Sequence, residues 1–259
     1  MSITNKIKSL FIKKNKVVSY SGRYSSFGEA ASICGKGYSD EAIFEKVKNS
    51  TLAVVNGEAA YERDSCLFYE KKINYNLMMY LYMIMIKEGC LNVLDWGGAL
   101  GSTFYQHREL LEDYNCNWTI VEQAHFVSFG KEHLANNMLH FVGSLDEVDQ
   151  CNCVLFSSVL QYLENPEGSI SMVCEKRPSY IIVERTPVSI HKRIWVETVH
   201  EPIYEAEYPC YVFEETELIK QFETRGYRLI DSWKSMVDGD VITPEKEKVV
   251  FKSYIFKRK

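Results

Sequence analysis

The chain has 259 residues, 46% of them hydrophobic and 25% charged, with a formal charge of -5 at pH 7. That length suits one large α/β domain with an appended segment, although two small domains also fit, and the acidic balance gives nucleic acid no electrostatic footing, so a sugar or other small polar acceptor is the easier partner. The eight cysteines have neither disulfide-scaffold density nor C-x-x-C spacing, which excludes a structural zinc site and, with no secretory signal, implies a reduced, cytoplasmic protein.

Residues 1–19 form a basic segment, with Lys6, Lys8, Lys13, Lys14 and Lys16 interleaved with Ile7, Leu10, Phe11 and Ile12. It reads as an amphipathic element touching the inner face of a membrane or glycan-assembly machinery, or as a solvated terminus. Residues 20–90 read as a helical N-terminal region, with one capped helix at Asp40 to Asn49 and another at Tyr75 to Lys87. The apolar run Leu77 to Ile86 is too short to span a bilayer and fits a buried helix. Between the helices, Tyr61, Glu62, Arg63 and Asp64 form either a lid, with Arg63 gripping a carboxylate or phosphate, or an ion-paired helix cap.

From residue 91 to 259, strand and helix signals alternate. Strands are predicted at Asn92 to Asp95, Trp118 to Glu122, Leu139 to Val142, Cys153 to Ser157 and Tyr180 to Glu184, the spacing of a parallel, doubly wound α/β sheet. Cys151 and Cys153 would share one strand face as core residues. Tyr204, Tyr208, Tyr211 and Phe213 form an aromatic loop able to stack on a sugar face or to pack internally. Residues 226–233 and 248–257 look like a terminal antiparallel hairpin.

The stretch VLDWGGALGS, Val93 to Ser102, carries the chemistry. An apolar strand ends in Asp95 and runs into Gly97, Gly98 and Gly101, which let the backbone turn tightly and approach a ligand. The helix predicted from Ser102 to Leu111 points its amides there. Glu122 ends the next strand, where a carboxylate accepts from ribose hydroxyls. Counting from Gly97 puts Ala99 and Ser102 at the later glycine positions, and counting from Gly98 puts Leu100 there, so the dinucleotide fingerprint is broken. No G-K-[ST] phosphate loop is present either.

Six phrases, GEAAYERDSCLF, VLDWGGALGSTFYQ, VEQAHFV, SSVLQYLENP, IIVERTPV and YPCYVF, occur in this order. Together they make the chain resemble a family of class I S-adenosylmethionine-dependent methyltransferases associated with bacterial lipopolysaccharide O-antigen and other surface-polysaccharide gene clusters. The resemblance covers roughly residues 20–259. It implies a Rossmann-like sheet of about seven strands with the last antiparallel, S-adenosylmethionine as cofactor and S-adenosylhomocysteine as product.

Ligands bind such sheets beyond the carboxyl ends of the strands. That rule assigns Asp95, Gly97, Gly98, Gly101 and Ser102 to the methionine part of the cofactor, Glu122 and Gln123 to the ribose and adenine, and Gly143 and Ser144 to the adenine edge. Ser157 and Ser158 should face the sulfonium. Arg63, Gln161, Arg185, Thr186 and Tyr208 should hold the acceptor. A hydroxyl acceptor needs a base, for which Glu184, His191 and His200 are candidates, with Tyr162 as a positioning group. No spacing of acids and histidines suggests a metal site. Two other classes stay open: a nucleotide-sugar oxidoreductase, against which the broken fingerprint and missing Tyr-x-x-x-Lys pair argue, and a binding module of this fold without catalysis.

Overall fold

The computed structural model describes residues 18–35, 41–200, 203, 205–242 and 247–259. The N-terminal lysines, Asp40 and Tyr204 lie outside the described residues. Strand β1 (Val18–Ser21) and helices α1 (Phe27–Ile33) and α2 (Glu41–Val55) lead to a hairpin of β2 (Tyr61–Arg63) and β3 (Cys66–Phe68), then α3 (Tyr75–Glu88). The alternating part follows as β4 (Leu91–Trp96), α4 (Ser102–His107), β5 (Cys116–Val121), α5 (Ala124–His133), β6 (Leu139–Val142), β7 (Cys153–Ser157), α6 (Pro166–Glu175) and β8 (Tyr180–Ser189). Then come β9 (Arg193–Val199), β10 (Ala206–Glu214), α7 (Glu215–Glu223), β11 (Tyr227–Lys234), β12 (Val241–Ile242) and β13 (Lys248–Arg258).

The main sheet has eleven strands, not the seven expected: one path runs β6, β5, β4, β7, β8, β10, β9, β1, and off it β13 pairs with β8, β11 and β12. Every neighbour pair from β6 to β8 is parallel, and β13 lies antiparallel to both β8 and β11. Because both faces are covered, the central strands are apolar at nearly every position. Successive residues feed opposite cores. Val93, Leu155 and Ile182 pack with Leu77, Leu81 and Ile84 of α3 on one face. Leu94, Val154, Phe156, Ile181 and Val183 pack with Ile170, Val173, Leu218 and Phe222 of α6 and α7 on the other.

Two regions depart from the sequence reading. The phrase around Tyr61 to Asp64 forms the β2 and β3 hairpin, not a helix cap. Asp64 and Ser65 both take left-handed φ, +50° and +61°, the backbone that closes a two-residue hairpin. Tyr208, Tyr211 and Phe213, expected in an aromatic loop, lie in β10, and β1, β9 and β10 form an antiparallel extension that joins the main sheet where β10 pairs with β8. Strand β1 lies far upstream of β9, with Val18 opposite Val199, so local pattern could not specify the pairing. The helix after the glycine turn ends at His107 and continues as a 3-10 turn through Leu110. Cys153 is buried at the start of β7, and Cys151 precedes the strand. Among the described residues, no helix is long and apolar enough to cross a membrane.

Candidate active site

The chain leaves β4 toward β5 and β6 on one side and returns through β7 and β8 on the other, so the crevice opens where the order reverses, at the carboxyl end of β4. A cleft of about 1610 Å³ lies there, larger than the roughly 300–1,000 Å³ that one small ligand occupies.

The glycine turn forms its floor. Gly97 needs its left-handed φ of +70°, and its amide donates to Val121 O at 2.9 Å. Gly98 is required for space, since a Cβ there would stand 2.6 Å from Asp95 Cγ. Asp95 is 1% exposed beneath the turn, with Oδ2 accepting from Trp118 Nε1 at 2.9 Å and Oδ1 buried without a partner. Burial pushes its carboxyl up to about 7. Glu122 directly follows β5 and accepts from the amides of Gln123, at 2.6 Å, and Ala99, which ties the next strand to the glycine turn. Ser102 begins α4 and donates to the Glu62 carboxylate from the hairpin.

Opposite the turn, Ser157 at the end of β7 and Glu184 midway along β8 stand level in register. Glu184 is 3% exposed, and burial lifts its carboxyl to about 7. Its Oε1 accepts from Asn74 Nδ2 at 2.9 Å. Asn74 is itself fixed: its Oδ1 caps α3 through Leu77 N, and its amide donates to His107 Nε2 at 3.1 Å. With Nε2 accepting, His107 carries its proton on Nδ1, which donates to Thr103 O at 2.8 Å. Burial holds His107 below the usual imidazole range. A neutral imidazole thus holds the Asn74 backbone N–H, and the Asn74 side-chain amide orients a carboxylate.

Two arginines of the cleft, Arg63 and Arg185, are already engaged. Arg185 donates to Asp64 at 3.0 Å and to both oxygens of Asp238 at 3.1 Å, joining the hairpin to the loop after β11. Arg63 stacks its guanidinium on the rings of Tyr61 and Phe68. Arg185→Ala is expected to lower stability by about 1–3 kcal/mol, because Asp238 would stay largely buried without its donor. Faster amide exchange at residues 62–66 and 235–240 would report it, and unchanged exchange would contradict it.

Of the residues expected at the cofactor, Asp95, Gly97, Gly98, Ser102, Glu122, Gln123, Gly143, Ser157 and Ser158 line this cleft. Gly101 and Ser144 do not. Gly101 caps α4 with φ +98°, and Ser144 opens the 3-10 turn at Leu145, where Glu147 accepts from the amides of Gly143 and Ser144. On the acceptor side Arg63, Tyr162, Glu184, Arg185 and Tyr208 line the cleft. Gln161 and Thr186 are fully buried behind it, where Gln161 Nε2 donates to Ser158 Oγ at 3.0 Å and Thr186 Oγ1 to Glu184 O at 3.2 Å. His191 is exposed in the tight turn before β9, and His200 is exposed after β9 near Ser19. Neither histidine lines the cleft, which leaves Glu184 as the candidate base.

Asn74, His107 and Glu197, which sequence reasoning missed, line the cleft, as does Glu62, expected only as part of a lid or helix cap. No local signal gives the direction of any of the four. No group of three or more acids, histidines and cysteines placed to hold a metal occurs among the described residues. Glu62, Asp95, Glu184 and Glu197 are all lifted to about 7 by burial. Their folded values exceed their unfolded ones, so the stability they contribute is full below about pH 4.5 and is lost as pH rises through about 7. The ligand-free protein is therefore expected to melt higher at about pH 6 than at about pH 8. A higher melting temperature at the upper pH would contradict the burial of these acids.

No family model and no curated protein matches the sequence. Solved structures do match. The [4+2]-cyclase SpnF aligns with a TM-score of 0.50 at 10% identity, over 84% of this chain and 94% of its own. The Burkholderia thailandensis 1,6-didemethyltoxoflavin-N1-methyltransferase, with S-adenosylhomocysteine bound, gives 0.45 at 12% identity over 95% and 98%. CalS10, an amino pentose methyltransferase from Micromonospora echinaspora, gives 0.45 at 10% identity over 71% and 90%. The chain has a Rossmann-like, doubly wound α/β fold. At these identities the likeness concerns fold alone, and a fold hosts many activities.

Proposed function

We propose that the protein is an S-adenosylmethionine-dependent methyltransferase that O-methylates a sugar or surface-glycan precursor. The observation carrying this reading is a buried carboxylate, Glu184, held by Asn74 in the same cleft as the glycine turn. The residues fit the cofactor: Gly97 and Gly98 leave the backbone bare, Asp95 keeps an unpartnered buried oxygen beneath them, and Glu122 directly follows the neighbouring strand. When bound, the cofactor supplies an electrophilic methyl group. Gly98 and Ser102 would hold its amino-acid end, Glu122 its ribose, and Gln123 and Gly143 its base. Ser157 and Glu184 would then border the acceptor.

The chain's own contribution is positioning and a base. A sugar hydroxyl is a weak nucleophile at neutral pH, and Glu184 accepts its proton as the carbon-oxygen bond forms. A value near 7 suits that task, being basic enough to take a proton yet ionised in a useful fraction. Asn74 keeps the carboxylate turned to the cleft. The hairpin, clamped by Arg185 to Asp64, covers the site and keeps water from competing.

Thermal-shift measurements with S-adenosylmethionine, S-adenosylhomocysteine, NAD and NADP test the cofactor. A ligand at about 100 times its Kd stabilises the folded state by roughly 2.7 kcal/mol. Stabilisation by the two adenosyl compounds alone is expected, and stabilisation by NAD alone would favour the oxidoreductase instead. Glu122→Ala is expected to cost about 1.5–3 kcal/mol of S-adenosylhomocysteine binding, the range for hydrogen bonds to a charged group. Glu122→Gln should cost less, and equal affinity of wild type and Glu122→Ala in calorimetry would remove Glu122 from the site.

A further inference from the structure

The sheet of β1, β9 and β10 walls the acceptor half of the cleft. Strand β9 presents alternate residues to it, Trp195 and Glu197 among them. Tyr20 of β1 and Tyr208 of β10 stand directly opposite Glu197 in register, so the three side chains share one face. Tyr162 reaches in after β7 and donates its hydroxyl to Glu197 Oε2 at 2.8 Å. Its ring centre lies 5.8 Å from that of Tyr208, while Tyr20 and Trp195 lie 5.3 Å apart.

Glu197 is 6% exposed, and no cation pairs with it among the described residues. The neighbouring arginines are taken, Arg185 by Asp64 and Asp238 and Arg193 by Glu247. Buried carboxylates ordinarily hold a counter-charge. This one has the Tyr162 hydroxyl, the Cys210 thiol and aromatic faces around it, and burial pushes it up to about 7. Aromatic faces closed by a carboxylate attract an ammonium through both ring quadrupole and charge. The same box repels a carboxylate or phosphate and offers a neutral hydroxyl no comparable gain.

We propose that the acceptor carries a protonated amine, which seats against Glu197 in the box formed by Tyr20, Trp195, Tyr162 and Tyr208. The proposal deepens the methyltransferase reading of this cleft and rests on it for calling this half the acceptor side.

Three probes of one shape test it: benzylamine, benzyl alcohol and benzoate, titrated into the full chain near pH 8 and followed by saturation-transfer NMR. Benzylamine should bind at least about tenfold more tightly than benzyl alcohol, with benzoate weakest. Glu197→Gln should close the gap between amine and alcohol while leaving S-adenosylhomocysteine affinity unchanged, which also shows that the variant is folded. Tyr20→Leu keeps the carboxylate and should weaken benzylamine several-fold without affecting benzoate. Equal binding of amine and alcohol, preference for benzoate, no binding of any probe, or an amine preference that survives Glu197→Gln would each overturn the proposal. Failure of S-adenosylhomocysteine to bind the wild type is read separately and strikes the methyltransferase reading alone.

Discussion

Glu184→Gln is expected to lower turnover by roughly 10²–10⁴, the contribution of a positioned general base, while S-adenosylhomocysteine affinity stays near wild type. The amide keeps the size and can still meet Asn74, so the loss isolates the missing basicity. Wild-type kcat should rise about tenfold per pH unit up to about 7 and then level, because burial lifts the Glu184 carboxyl to about 7 and only its ionised form accepts a proton. Asn74→Ala acts through position, leaving Glu184 ionisable but unaimed, so it should lower kcat and shift the pH midpoint. Full turnover in Glu184→Gln with an unshifted pH profile would eliminate Glu184 as base and leave proximity alone to drive transfer.

The second large effect belongs to the glycine turn. Gly98→Val is expected to weaken S-adenosylhomocysteine by about 1–3 kcal/mol, roughly 5- to 150-fold, as overpacking into a filled site does. The cause is specific: the first added carbon would meet the Asp95 carboxyl at 2.6 Å and dislodge it from Trp118. Even Gly98→Ala should therefore be costly. Gly28→Ala is the control, since it lies in α1 outside the cleft and a Cβ there meets nothing within 4 Å. Calorimetry giving the same affinity for wild type and Gly98→Val would take the turn out of the site.

The contrast between these two positions shows what a sequence carries. The glycine turn, the strand that feeds it and Glu122 lie within thirty residues of one another, and their local chemistry fixes their relative placement. The predicted strands Leu139 to Val142 and Cys153 to Ser157 agree with the structure because buried parallel strands are continuous apolar runs. Glu184 was expected to end the next run, but the strand continues through it to Ser189. Asn74 and His107 were not legible, since their link to Glu184 depends on how α3 and α4 pack over the sheet, a tertiary relation with no local signature. The β1, β9 and β10 wall was hidden for the same reason. Arg193 to Val199 carries no apolar-polar alternation to mark a half-buried strand, and the aromatic density downstream suggested a loop. Arg185 shows a subtler limit. Its position in the cleft followed from the strand, but its engagement by Asp64 and Asp238 did not, and that engagement turns an expected anion receptor into a clamp.

The most direct test of the account is a crystal structure of the protein with S-adenosylhomocysteine. The ribose should lie on Glu122, the amino-acid end over Gly98 and Ser102, and the sulfur should face the gap between Ser157 and Glu184. A ligand bound elsewhere, or one whose sulfur points away from Glu184, would contradict it.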